Sequence, residues 1–215
     1  MSASLVGSEM CIRDSLHTPV AFLTKAVGVG DENGGTNDKI AFYQFSKEGK
    51  YEQRYVLNYE AASVGANGDT RSYTVELTSS TGGEKRFIIV ESENESNFPN
   101  MSATNTIDEL LNSKTVAESG KLNPPFVMSN VKTDGKEYVT VADVESSNNQ
   151  VDVKLKRRVA RFDLLNDPTE SGLVIDKVYI KNRYTQGFIG DVSGNAGNIS
   201  SDVLEIPAAD LANDG

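Results

Sequence analysis

Hydrophobic and polar residues alternate along much of this chain, and the longest alternating stretch is residues 150–163, QVDVKLKRRVARFD. Val151, Val153 and Leu155 fall on one side, with Asp152, Lys154 and Lys156 on the other. Period two marks a strand with one buried face. From Ala160 the apolar set moves to even numbers, Ala160, Phe162 and Leu164. A slip of one residue turns every side chain over. The pattern therefore predicts a bulge or bend near 157–159, and it suits a corner strand that serves both sheets of a sandwich.

The same reading places the other elements. Residues 19–27 (PVAFLTKAV) and 39–46 (KIAFYQFS) read as strands with apolar residues on both faces. Residues 51–59 alternate, with Tyr51, Tyr55, Leu57 and Tyr59 on one side. In 72–78, Tyr73, Val75 and Leu77 oppose Thr74, Glu76 and Thr78. The run Phe87, Ile88, Ile89, Val90 predicts a strand buried on both sides. Phe126, Val127 and Met128 form a short apolar run, and further strands are expected at 138–144 and 173–181, the last closing the main unit. One helix signal stands out. Thr106 and Glu109 have the spacing of a capping box, and Ile107, Leu110 and Leu111 share a face. About eight or nine strands, one short helix and frequent turn signals predict a mainly β fold, an antiparallel β-sandwich.

Composition narrows the function. The length of 215 residues suits one large domain, or one domain and part of another. The net charge of −10 argues against nucleic acid as a partner. Catalytic signals are poor. His17 is the single histidine, so no Ser-His-Asp or Cys-His arrangement has a credible base. No zinc, phosphate-loop or dinucleotide motif is present. Asp31, Asn33 and Asp38 invite a calcium reading, which fails because Thr36 and Phe42 stand where a glycine and a glutamate belong. The reading is not an enzyme, with no cofactor and no metal. The basic cluster Lys154, Lys156, Arg157, Arg158 and Arg161 lacks stacking aromatics. It reads as a strand face whose arginines pair with neighbouring acids.

Residues 1–15, MSASLVGSEMCIRDS, resemble the translation of a sequencing adaptor, so the reading starts at Leu16 and sets aside Cys11. Several later segments, in order, resemble the major fimbrial subunit (FimA-like fimbrillin) family of the Bacteroidales. They are TKAVGVGDEN at 24–33, RFIIVESEN at 86–94, TIDELL at 106–111, PFVMSNVKTDG at 125–135, KLKRRVARFDL at 154–164 and KVYIKNRYTQGFIG at 177–190. No single segment is a strict motif; their order and spacing carry the resemblance.

The resemblance implies two transthyretin-like Greek-key β-sandwich domains in series. Here 16–186 would form the N-terminal domain, and 187–215 a linker and the truncated start of a second β-domain. It implies export as a lipoprotein precursor to the outer membrane, the signal peptide lying outside this sequence. A surface trypsin-like protease would then cut the chain, and subunits would polymerise into an adhesive fimbrium by donor-strand exchange. The cut would fall between Lys25 and Ala26, where the family expects arginine and this chain has lysine. The strand removed would be Pro19, Val20, Ala21, Phe22, Leu23 and Thr24, ending at Lys25. The donor strand would come from the C-terminal region, beyond this sequence. The partners implied are other fimbrial subunits, the protease, and a host glycan or protein. The alternative is a non-polymerising tip, anchor or accessory adhesin that keeps its first strand.

Overall fold

A computed structural model of the chain describes residues 18–26, 38–61, 63–64, 70–77, 82–115, 126–144, 149–158, 172, 174–182, 184, 186–191 and 201–207. The strands are β1 (Thr18–Ala26), β2 (Lys39–Ser46), β3 (Tyr51–Asn58), β4 (Ser63–Val64), β5 (Thr70–Leu77), β6 (Lys85–Ser92), β7 (Met128–Asn130), β8 (Val139–Val141), β9 (Asn149–Arg157), β10 (Lys177–Ile180) and β11 (Leu204–Pro207). The helix α1 spans Ile107–Leu111. Short 3-10 turns occupy Tyr59–Ala61 and Glu95–Asn97.

Nine strands form one sheet in the order β3-β2-β6-β7-β9-β1-β5-β4, with β8 beside β6. Every pairing is antiparallel except β1 with β9, which is parallel. The sheet folds over on itself. The rings of Phe42 on β2 and Tyr73 on β5, from strands far apart in that order, meet edge to face at 5.8 Å. Ile40, Phe87, Ile89, Val75, Leu77, Val153 and Leu155 complete the core between the two layers. This is the antiparallel β-sandwich with one short helix that the alternating pattern predicts.

A second core lies on the outer face of β2 and β6, where Ala41, Tyr43, Phe45, Ile88 and Val90 pack against Phe98, Ile107, Leu110 and Ile189. It explains why both strands are apolar on both faces, as read from the sequence. α1 is held here. Thr106 Oγ1 accepts from the Glu109 N–H at 3.4 Å, and Glu109 Oε2 accepts from the Thr106 N–H at 2.6 Å. Ile107 and Leu110 point into the core. Five residues are too few for a helix to stand alone, so packing decides its existence.

Three sequence expectations shift. Tyr51 does not share a face with Tyr55 and Leu57. The β2–β3 register slips between Gln44 and Phe45, which turns Tyr51 into the second core. The strand expected at 173–181 to close the main unit, β10, does not join the main sheet; it pairs with β11 in a separate two-stranded sheet. Phe98, in a stretch where the pattern predicts no element, is buried. The change of phase beyond Arg158, Asp31 and Asn33 of the calcium reading, and Arg161 lie outside the described residues.

Candidate functional site

β1 occupies an interior slot. On one side it runs antiparallel to β5, from Thr18 opposite Leu77 to Lys25 opposite Thr70. On the other it runs parallel to β9, from Val20 opposite Asn149 to Ala26 opposite Leu155. The eight sequence-predicted site residues, Pro19, Val20, Ala21, Phe22, Leu23, Thr24, Lys25 and Ala26, all fall within this strand. Two backbone ladders therefore meet β1 along most of its length.

The walls of the slot alternate. On β5, Tyr73, Val75 and Leu77 are buried, while Thr74 and Glu76 are exposed. On β9, Val153 and Leu155 are buried, with Asp152 and Lys154 exposed. Register sets Val20 beside Val75, Phe22 between Tyr73 and Val151, and Thr24 beside Val153. Such walls suit an extended segment with a two-residue period, read by backbone pairing and by alternate apolar positions. Tyr73 donates to the Tyr59 carbonyl at 3.3 Å. Burial pushes the Tyr73 hydroxyl far above its ordinary pKa, and the Glu91 charge adds to the shift. Arg71 lies over the Tyr59 ring, 3.7 Å from its centre.

A second feature closes the body from outside. Residues 186–191 run antiparallel beside the end of α1. Thr115 donates to the Gly187 carbonyl at 2.9 Å, Ile189 to the Ser113 carbonyl at 3.0 Å, and Gly190 to the Leu111 carbonyl at 2.8 Å. Ile189 is fully buried in the second core. A Cβ on Gly190 would stand 2.7 Å from the Leu111 Cβ, so only glycine fits this approach.

The strap is pinned by charge. Arg158 Nη1 reaches Asp191 Oδ1 at 2.8 Å, and Arg158 Nη2 reaches Glu137 Oε1 at 3.3 Å. The Asp191 N–H donates to Glu137 Oε1 at 2.6 Å, and Lys156 Nζ contacts both Asp191 oxygens. Ser129 Oγ accepts from Arg158 Nε and donates to the Ile189 carbonyl. Burial raises the Asp191 pKa, but the Lys156 hydrogen bond and the Arg158 and Lys156 charges outweigh it, leaving the carboxyl below its ordinary value. The structure thus brings Lys156 and Arg158 of the basic cluster onto one acid, with Arg158 buried rather than on an open strand face. Lys154 stays on the exposed face.

Sequence reading missed the strap because 186–191 is too short to show a period. The one available signal is the pair of glycines bracketing Phe188 and Ile189, a sign of close backbone approach on both sides of an apolar pair. Among the described residues no cluster of His, Cys, Asp or Glu could hold a metal ion, and no helix is long and apolar enough to cross a membrane.

No family model matches this chain, and no curated protein matches it. Solved structures do. The chain is similar to a fimbrial assembly protein from Parabacteroides distasonis, at 14% identity and a TM-score of 0.56, covering 91% of this chain and 74% of that one. It is also similar to a protein assigned to cell adhesion from the same organism, at 13% identity and a TM-score of 0.51, covering 87% and 55%. At these identities the likeness establishes a shared fold.

Proposed function

We propose that this chain is a structural subunit of a bacterial surface fimbria. In this reading it matures by cleavage between Lys25 and Ala26, and assembles when a neighbouring subunit's strand replaces β1. The observation that supports it is the position of β1, an N-terminal strand held in the interior of the sheet rather than at its edge. Loss of an edge strand would leave one ladder open. Loss of β1 leaves two, above a floor of buried Tyr73, Val75, Leu77, Val153 and Leu155. An incoming strand would meet twice the backbone pairing that edge addition gives. The shared fold with a fimbrial assembly protein agrees with this reading.

The partners in this reading are other subunits, a trypsin-like protease of the cell surface and a host glycan or protein. Residues 187–215 belong to it as the connection to, and start of, a second β-domain, whose strand β11 pairs with β10 of the 16–186 segment in a two-stranded sheet. Two strands alone are marginal in water, which supports their being part of a larger unit.

The test is limited trypsin digestion of the folded chain, with the new termini mapped by mass spectrometry and size followed afterwards. Cleavage after Lys25 with loss of residues 18–25 and growth into oligomers is the expected result. The Lys25→Gln variant should keep its strand and stay small. A wild-type chain that resists cleavage there, or unravels when cut, would make β1 a permanent core strand and favour the non-polymerising adhesin.

A further inference from the structure

The bond that the proposed maturation requires is not in a loop. It lies within β1, at the last positions of both ladders. Lys25 stands opposite Thr70 on one side and Lys154 on the other, and Ala26 stands opposite Leu155. A protease binds its substrate as an extended strand through the same backbone groups that β5 and β9 already engage. The end of β1 must therefore leave the sheet before the bond can be cut.

The ladder carries a fault at that place. Opposed positions on neighbouring strands lie on one face, and like charges there weaken the pairing. The register opposes Lys25 to Lys154, an exposed residue between buried Val153 and Leu155. Neither diagonal position stands directly opposite Lys25: Lys156 is engaged by Asp191, and Asp152, the one acid of the two, stands opposite Leu23 and offsets the opposition only in part. Across the other ladder Thr70 is uncharged, and the next position inward pairs Thr24 with Arg71, which adds no acid. Farther along β1 no such opposition recurs: Leu23 faces Asp152, Phe22 faces Val151 and Ala21 faces Gln150.

We propose that Lys154 sets the rate of maturation. By opposing Lys25 it makes the C-terminal end of β1 the point where the strand unzips, while the rest of β1 stays seated until the cut is made. The inference rests on the maturation reading above and assigns its control to a residue of β9.

The experiment compares trypsin cleavage of the full chain in three forms at low salt: wild type, Lys154→Gln and Lys154→Glu. Mass spectrometry follows the terminus at Ala26, with cleavage in the exposed turn after Lys47 as the internal reference. Lys154 is exposed, so neither variant threatens folding. Reversing the charge should slow cleavage after Lys25 roughly three- to tenfold relative to the reference, with Lys154→Gln between. Raising the salt to about 1 M should shrink the differences, since the screening length falls to about 3 Å. Equal rates in all three forms would overturn the role of Lys154 and leave the maturation reading standing. A complete absence of cleavage after Lys25, with cleavage after Lys47 intact, would overturn that reading and the inference with it.

Discussion

Ile89 donates its backbone N–H to Asn130 Oδ1 at 2.8 Å, and Asn130 Nδ2 donates to the Phe87 carbonyl at 3.4 Å. This edge of β6 pairs with β8 up to Phe87 and with β7 from Val90, so the amide fills the gap that neither strand reaches. Both bonds are buried, where an orphaned donor or acceptor costs about 1–3 kcal/mol. Asn130→Ala should lower stability by about 2 kcal/mol in urea unfolding while leaving the far-ultraviolet spectrum unchanged. Asp191 gives a pH signature. Its folded pKa lies below the ordinary 3.8, so its contribution is present above that pH and is lost as the pH falls through the lower, folded value. The Asp191 side chain is 36% exposed, which keeps the effect modest. Asp191→Asn should flatten stability measured against pH below about 4, and change its slope little between pH 5 and 8.

At the level of elements, the strap and the helix support each other. Gly190→Ala would drive a methyl group into Leu111, and the contact that must yield includes the Leu111 carbonyl at 3.0 Å. The expected result is loss of about 2 kcal/mol or more, with faster hydrogen exchange at the Ile189 and Gly190 amides than in wild type. Elements that bury a face regularly were legible in the sequence. β5, β6 and β9 follow from alternation or from an unbroken apolar run, and α1 from the Thr106–Glu109 box. What escaped depends on partners. Tyr51 faces the second core because Glu52 of its own strand is the extra residue of the register slip, and Phe98 is buried against the outer face of β2 and β6. Of the candidate site, residues 19–25 were legible as a strand. Their place between β5 and β9 was not, because periodicity carries no information about which strands pair.

For the molecule as a whole, the slot has a testable meaning independent of any protease. A chain beginning at Ala26 would carry two open ladders and an apolar floor, and should self-associate in size-exclusion chromatography. Adding the peptide of residues 18–26 in excess should return it to a single-chain species. Failure of the peptide to do so would show that the body collapses once β1 is gone. The order of synthesis adds one more consequence. Ala26 cannot meet Leu155 until nearly three quarters of this sequence has been made, and the loop that closes then is among the longest in the fold. Such distant pairings form late, because the chain loses most entropy in making them. A newborn chain can therefore seat β1 against β5 alone, and spends its early life with the β9 side of that strand open.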